Sequence, residues 1–327
     1  MNIHKRFLFV LTCFVSFACT KYEGKINTSI NLLYYNDLSF ELIDKYNHPN
    51  YNSHEYYIGY ADILSDGSIL FDVSKDGSGK YIDMFVYKTL TDKLTVDFNK
   101  KEAIECSFIN INGILHIINS DNDIEYIIDK SIERMKRVSI ARKRTLIRNV
   151  YLLYKDYNCS IVNGNEILFG DEGNNSFVVP TKFIVVNNNE VLFMYVREDV
   201  GYNSNRELIK LDSDGNYTVI NKNIRDFTKI GKYLLCLDSF PPPDVPHITQ
   251  EEAYEEYSIN VYDLDGKLIK NLDKELYDKY GMLAFPDSIS VNSSGYGVMS
   301  GSFVFNYGKE GEYDFRGLII FKLVESK

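Results

Sequence analysis

Residues 181–272 repeat one pattern of four short strands, and a chain built on such a repeat has few folds open to it. The first copy reads 182–187 (KFIVVN), 190–197 (EVLFMYVR), 207–211 (ELIKL) and 215–220 (GNYTVI). The second reads 225–230 (RDFTKI), 232–238 (KYLLCLD), 257–263 (YSINVYD) and 266–272 (GKLIKNL). Each run has the length and the Val, Ile, Leu, Tyr and Phe content of a buried or half-buried strand. Between the third and fourth runs both copies carry the same punctuation, Asp212-Ser213-Asp214-Gly215 and Asp263-Leu264-Asp265-Gly266. Glycine supplies the positive φ of a tight hairpin, and the preceding Asp bonds to nearby backbone amides. An Asp-x-Asp-Gly run also opens a calcium loop, but the other ligands of such a loop are missing. These are therefore read as hairpins, and no metal is expected.

A recurring antiparallel unit of about 40 to 50 residues is the mark of a β-propeller blade, which buries its faces only by stacking on others around an axis. The fold class expected is all-β. With 26 Tyr, 20 Phe and only 7 Pro, the composition favours strands. The absence of Trp excludes typical members of the propeller families that place a Trp in every blade. A formal net charge of -10 argues against nucleic acid, whose phosphates need a basic surface. The basic stretch 134–148 (RMKRVSIARKRTLIR) is read as a solvated face, with an anionic-ligand or lipid-headgroup site as the other reading.

The N-terminus has its own logic. His4, Lys5 and Arg6 precede an apolar run, 7–17, that is too short to span a bilayer and ends in Ser16-Phe17-Ala18-Cys19. It looks like a bacterial lipoprotein signal, although Ser16 and Phe17 depart from the preferred residues of that motif. The resemblance implies a signal peptide over 1–18, lipidation of Cys19, a tether over 19–28 and a single domain over 29–327. It also implies a lipid-anchored place in the cell envelope, on the outer-membrane or periplasmic side, or secretion if no lipid is added. Cys106, Cys159 and Cys236 lie in apolar runs and read as small buried hydrophobes, not as a disulfide framework.

Further units lie on either side of the central pair. One spans 56–63, 68–73, 81–88 and 93–98. The next spans 103–111, 113–119 and 123–128, with a fourth strand expected somewhere in 144–154. A third has 157–162, 166–170 and 176–179. The last has only 283–291, 295–306 and 316–324, and the early strand 29–35 (SINLLYY) is left to complete it and close the ring. On this count the chain resembles the six-bladed, NHL-like β-propellers, especially the lipid-anchored ones of Gram-negative bacteria.

If first strands run from a top face to a bottom face, the Asp-Gly hairpins fall below. The long connections 36–55, 74–80, 239–256, 273–282 and 307–315 fall above. Such lengths point to binding. The top face supplies the candidate ligand-binding residues Tyr46, Tyr51, His54, Asp244, His247 and Tyr254, suited to stack on and hydrogen-bond a sugar or peptide. No P-loop, dinucleotide fingerprint, G-x-S-x-G elbow or H-E-x-x-H motif is present. No cofactor is expected, and no catalytic residue can be picked. His116, inside an apolar strand, reads as a satisfied core residue. The function expected is a binding or scaffold protein of the envelope with a protein, peptide or glycan partner. The alternative is a glycan-processing hydrolase or lyase that uses carboxylates and histidines on the axis.

Overall fold

The computed structural model describes residues 38–46, 56–75, 81–88, 106–119, 122–130, 134–155, 158–170, 177–197, 205–239 and 257–325. These form a β-propeller of antiparallel units. The first unit contains β2 (Tyr56–Tyr57), β3 (Ala61–Ile63), β4 (Ser68–Lys75) and β5 (Tyr81–Lys88). The second contains β6 (Cys106–Ile111), β7 (Ile114–Asn119), β8 (Ile124–Asp129) and β9 (Lys136–Ser139). The third is β10 (Lys143–Ile147), β11 (Val150–Lys155), β12 (Asn158–Asn163) and β13 (Glu166–Phe169).

The fourth and fifth units are the two sequence repeats. They are β14 (Phe177–Asn187), β15 (Glu190–Arg197), β16 (Asn205–Asp212) and β17 (Tyr217–Lys222), then β18 (Ile224–Ile230), β19 (Tyr233–Ser239), β20 (Tyr257–Asp263) and β21 (Leu268–Asn271). The last unit is β22 (Leu283–Val291), β23 (Tyr296–Phe305) and β24 (Tyr313–Glu325), completed by β1 (Leu38–Tyr46) at its outer edge. The inner strands β6 and β14 also touch directly, in parallel, over Asn110–Lys182 and Ile111–Phe183. The third unit packs its apolar faces between the second and fourth in one continuous cluster that includes Ile109, Leu152, Ile161 and Phe193.

Two expectations are corrected here. The strand that closes the ring is Leu38–Tyr46, within the stretch read as a loop, while 29–35 lies outside the described residues. Leu38 and Phe40 are buried and Leu42 is half-buried on the same side, a period-two pattern that the neighbouring polar residues obscured. In the second unit the fourth strand is Lys136–Ser139, fully exposed and within the basic stretch. Residues 143–155 instead open the third unit. The proposed first-unit strand 93–98 lies outside the described residues.

The Asp-Gly hairpins show why they are structural. Asp212 Oδ1 accepts from the backbone amides of Asp214 (2.9 Å) and Asn216 (2.8 Å). Asp263 Oδ1 does the same for Asp265 (3.0 Å) and Lys267 (2.9 Å). Asn292 repeats the device in the last unit, with Ser294 and Tyr296. At Gly266, φ is 85° and an added Cβ would fall 2.6 Å from the Ile220 carbonyl oxygen, so the turn requires glycine.

The inner strand of the first unit is split. β2 and β3 both pair with β4, and the interruption leaves backbone amides off the ladder. Asp72 takes them up, accepting from Gly59 N (3.1 Å) and Tyr60 N (2.6 Å). Burial outweighs these bonds and pushes its carboxyl up to about 7. Between an unfolded value near 4 and that folded value, the native chain holds a proton that the unfolded chain has released, so stability falls as pH rises. Asp72→Asn is expected to flatten this slope, relative to wild type, by on the order of 3 kcal/mol between pH 5 and 8. Urea denaturation at both pH values checks it, and parallel profiles for the two proteins would contradict it.

Candidate functional site

Six inner-strand residues from five units meet at the centre of the ring in one buried polar network. Lys182 Nζ donates to Asp226 Oδ2 at 2.5 Å and to the Ile289 carbonyl. Asp226 also accepts from Ile289 N (2.8 Å) and Phe227 N (2.9 Å). On the other side Asp62 accepts from Asn110, from Ser290 Oγ and from Tyr60 OH. Ser288 Oγ accepts from Ala61 N (3.1 Å) and shares a hydrogen bond with Ser300 Oγ. Asp62, Lys182 and Asp226 are each at most 4 % exposed. The network fastens the inner strands to one another, and its carboxylates are spent on internal partners.

His116 has a comparable role between the second and third units. Its Nδ1 lies 2.6 Å from Glu125 Oε1, while Glu125 Oε2 accepts from Arg144 Nη2 (2.7 Å) and Ala141 N (2.9 Å). Despite the burial of Glu125, these partners hold its carboxyl below the usual range. The core reading of His116 is thus the one observed. Cys159 and Cys236 are likewise buried free thiols.

The top rim differs in kind. Inner and third strands both begin at the top, so the opening residues of β16, β18, β20, β22 and β24 gather there between the fourth, fifth and last units. Arg206, Arg225, Tyr257, Phe285, Asp287 and Arg316 fall within the first five residues of these strands. Arg206 Nη1 donates to the Arg225 carbonyl at 3.3 Å, and Arg225 Nη2 pairs with Asp287 Oδ1. The Arg225 guanidinium lies over the Tyr257 ring, 5.3 Å from its centroid. Tyr257 in turn meets Phe285 edge-on, with centroids 5.6 Å apart. Arg316 stands opposite Ser302 in the strand register, and Ser302 opposite Phe285. Both partners of the Arg225–Asp287 pair are about one-third exposed, so solvent reaches them.

Burial dominates the electrostatics at the rim. Burial and then the neighbouring Arg225 push the Arg206 guanidinium down from its ordinary value, against Asp226 and Asp287. Burial raises the Asp287 carboxyl, although Arg225, Arg206 and Arg316 all pull it the other way.

Of the candidate residues read from sequence, Tyr46 is described. It ends β1 at the top, half-buried, with its ring 5.5 Å from that of Phe71, and burial raises its hydroxyl pKa. Tyr51, His54, Asp244, His247, Tyr254 and Cys19 lie outside the described residues, as do 47–55 and 240–256. The connection 273–282 contains helix α1 (Asp273–Tyr280). An open depression of about 480 Å³ beside this helix is lined by Lys270, Lys274, Glu275, Asp278 and Lys279. Its acids are already paired, as Lys270–Glu275 and Lys274–Asp278, and Lys279 donates to the Phe40 carbonyl. The arginines of the rim escaped the sequence reading because the chain is acidic as a whole. A local signal did exist, since Arg206, Arg225 and Arg316 each fall at or just before the start of a first or third strand in the repeat.

No family model and no curated protein matches the chain. Among solved structures it is similar to a candidate exported protein of Bacteroides fragilis, at 12 % identity over 89 % of this chain and 95 % of that one, with a TM-score of 0.40. It is similar also to the WD40 domain of Pan2 from Neurospora crassa, at 8 % identity over 90 % and 98 %, with a TM-score of 0.37. A third is the β-propeller domain of the Trilobed protease from Pyrococcus furiosus, at 11 % identity over 83 % and 84 %, with a TM-score of 0.36.

Proposed function

We propose that this chain is a six-bladed propeller that binds its ligand, a protein, peptide or glycan, on the top rim, while Cys19 carries a lipid that holds it in the cell envelope. The carrying observation is the contrast between centre and rim. The axial carboxylates Asp62 and Asp226 are buried and hydrogen-bonded internally, which leaves them poorly placed to exchange protons with a substrate. Arg206, Arg225, Arg316 and Tyr257 instead stand at the end of the ring where the long connections 47–55 and 240–256 attach. Such guanidinium and aromatic groups are the usual anchors of a recognition surface. The closing strand begins at the bottom with Leu38, so a tether leading into it turns the rim away from the membrane. Among the described residues no helix is long and apolar enough to cross a membrane.

One experiment tests both parts. The full chain is expected in the membrane fraction and its Cys19→Ser form in the soluble fraction. The soluble form is expected to bind a subset of an array of acidic and neutral glycans and peptides. Replacing 240–255 with a Gly-Ser linker is expected to abolish that binding with the melting temperature kept. A blank array, or binding indifferent to the linker, would overturn the rim reading. Shortened or unsaturated products released from the array would turn it toward the glycan-processing enzyme.

A further inference from the structure

We infer that the arginine trio of the top rim is a site for a doubly charged oxyanion, a phosphate or sulfate group. The inference rests on the rim being the binding face and gives that face a ligand chemistry.

The geometry is of a kind that recognises such a group. Three guanidinium groups, those of Arg206, Arg225 and Arg316, lie near one carboxylate, Asp287, which pairs with Arg225, so among the described residues of the rim cations outnumber acids. Among the described residues no other acid is ion-paired with the three, although Asp314 stands on the Arg316 face of its strand. Asp226 is committed to Lys182 and two backbone amides below the rim. Glu207, the residue after Arg206, points to the other side of its strand. A chain with a formal net charge of -10 has every electrostatic reason to spread its cations among its acids. Here it does the reverse, setting Arg206 against the Arg225 carbonyl and both against one acid.

The recognising groups are also held in place. The Asp287 contact uses one terminal nitrogen of Arg225, while the ring of Tyr257 backs the guanidinium plane. Phe285 fixes that ring from its edge. Guanidinium forks match tetrahedral oxyanions with paired hydrogen bonds, and an aromatic backing limits competing water. A tetrahedral dianion offers these guanidinium groups more charge and more acceptors than a single carboxylate does.

The test is titration calorimetry on the full chain in non-ionic detergent, at constant ionic strength, with four probes: inorganic phosphate, glycerol phosphate, sulfate and chloride. Phosphate or sulfate is expected to bind with one site per chain, and chloride not to. The tighter of inorganic phosphate and glycerol phosphate shows whether the group arrives free or as an ester. Arg225→Gln and Arg316→Gln are each expected to weaken phosphate binding at least about tenfold. Arg316 is exposed on a strand and can be exchanged without disturbing the core, which separates loss of binding from loss of fold. Arg148→Gln, an exposed cation on the bottom face, is expected to change nothing. The proposal is overturned if no dianion binds, if Arg316→Gln and Arg225→Gln bind as wild type does, or if Arg148→Gln weakens binding equally. Array binding that phosphate fails to displace would sink this inference and leave the rim reading standing. Phosphate binding beside a blank array would do the opposite.

Discussion

A chain lacking residues 1–46 is expected to lose its cooperative melting transition, whereas one that begins at residue 36 keeps it. The difference between them is β1, which pairs with β24 from Leu38–Glu325 to Tyr46–Leu318. Leu38 and Phe40 are each 1 % exposed. Phe40 stacks on Phe321 with ring centroids 4.6 Å apart. Burying two such side chains contributes about 1.5–3 kcal/mol each, a large share of the roughly 5–15 kcal/mol by which domains are stable. Without β1, moreover, β24 becomes an open edge.

The outer edge of β1 is itself covered by helix α1. Glu275 accepts from Ser39 Oγ and Phe40 N, both at 2.7 Å. Lys279 Nζ donates to the Phe40 carbonyl at 2.8 Å, and Tyr280 OH accepts from Leu42 N at 3.0 Å. These contacts tie the beginning of the chain to residues more than 230 positions later. Within the full chain, Phe40→Ala is expected to cost about 3–5 kcal/mol. Circular dichroism melts of the two truncations and the point variant are the check. A transition unchanged by removal of 1–46 would refute closure by β1.

Lys182→Ala is expected to destabilise the protein by about 3–5 kcal/mol, the cost of leaving a buried charge without its partner. Both side chains of the Lys182–Asp226 pair are at least nine-tenths buried. Asp226 would retain the amides of Phe227 and Ile289 but lose its described ion-pair partner. The double variant Lys182→Met with Asp226→Asn removes both charges and is expected to be milder than the sum of the single changes by at least about 1 kcal/mol. Guanidinium denaturation of wild type, Lys182→Met, Asp226→Asn and the double variant measures this coupling. A Lys182→Ala protein within about 1 kcal/mol of wild type would show that the network is not what fastens the inner strands.

The central repeat was legible because its evidence is local. Residues such as Val191, Phe193, Leu234 and Cys236 sit in short alternating or apolar runs, and Gly215 and Gly266 mark turns whose geometry depends on a few neighbours. The shorter third unit was not legible. Its inner strand Lys143–Ile147 reads as part of a charged stretch, since only Arg144, Leu146 and Ile147 face inward, and Arg144 is accommodated there by Glu125 of another unit. Helix α1 was also read as plain connection, because its eight residues carry a single buried side chain, Leu276.

Strand content, turn positions and the need for a closing strand all follow from patterns within a few residues of one another. The identity of that strand does not, because Leu38–Tyr46 acquires its partners only when β24 and α1 come round to it. The rim arginines show the same division. Their places near strand starts follow the strand pattern, but the contacts of Arg225 with Arg206 and Asp287 exist only once neighbouring units stand side by side. Charges scattered over 111 positions, from Arg206 to Arg316, become one site because every first and third strand of a propeller begins at the same end.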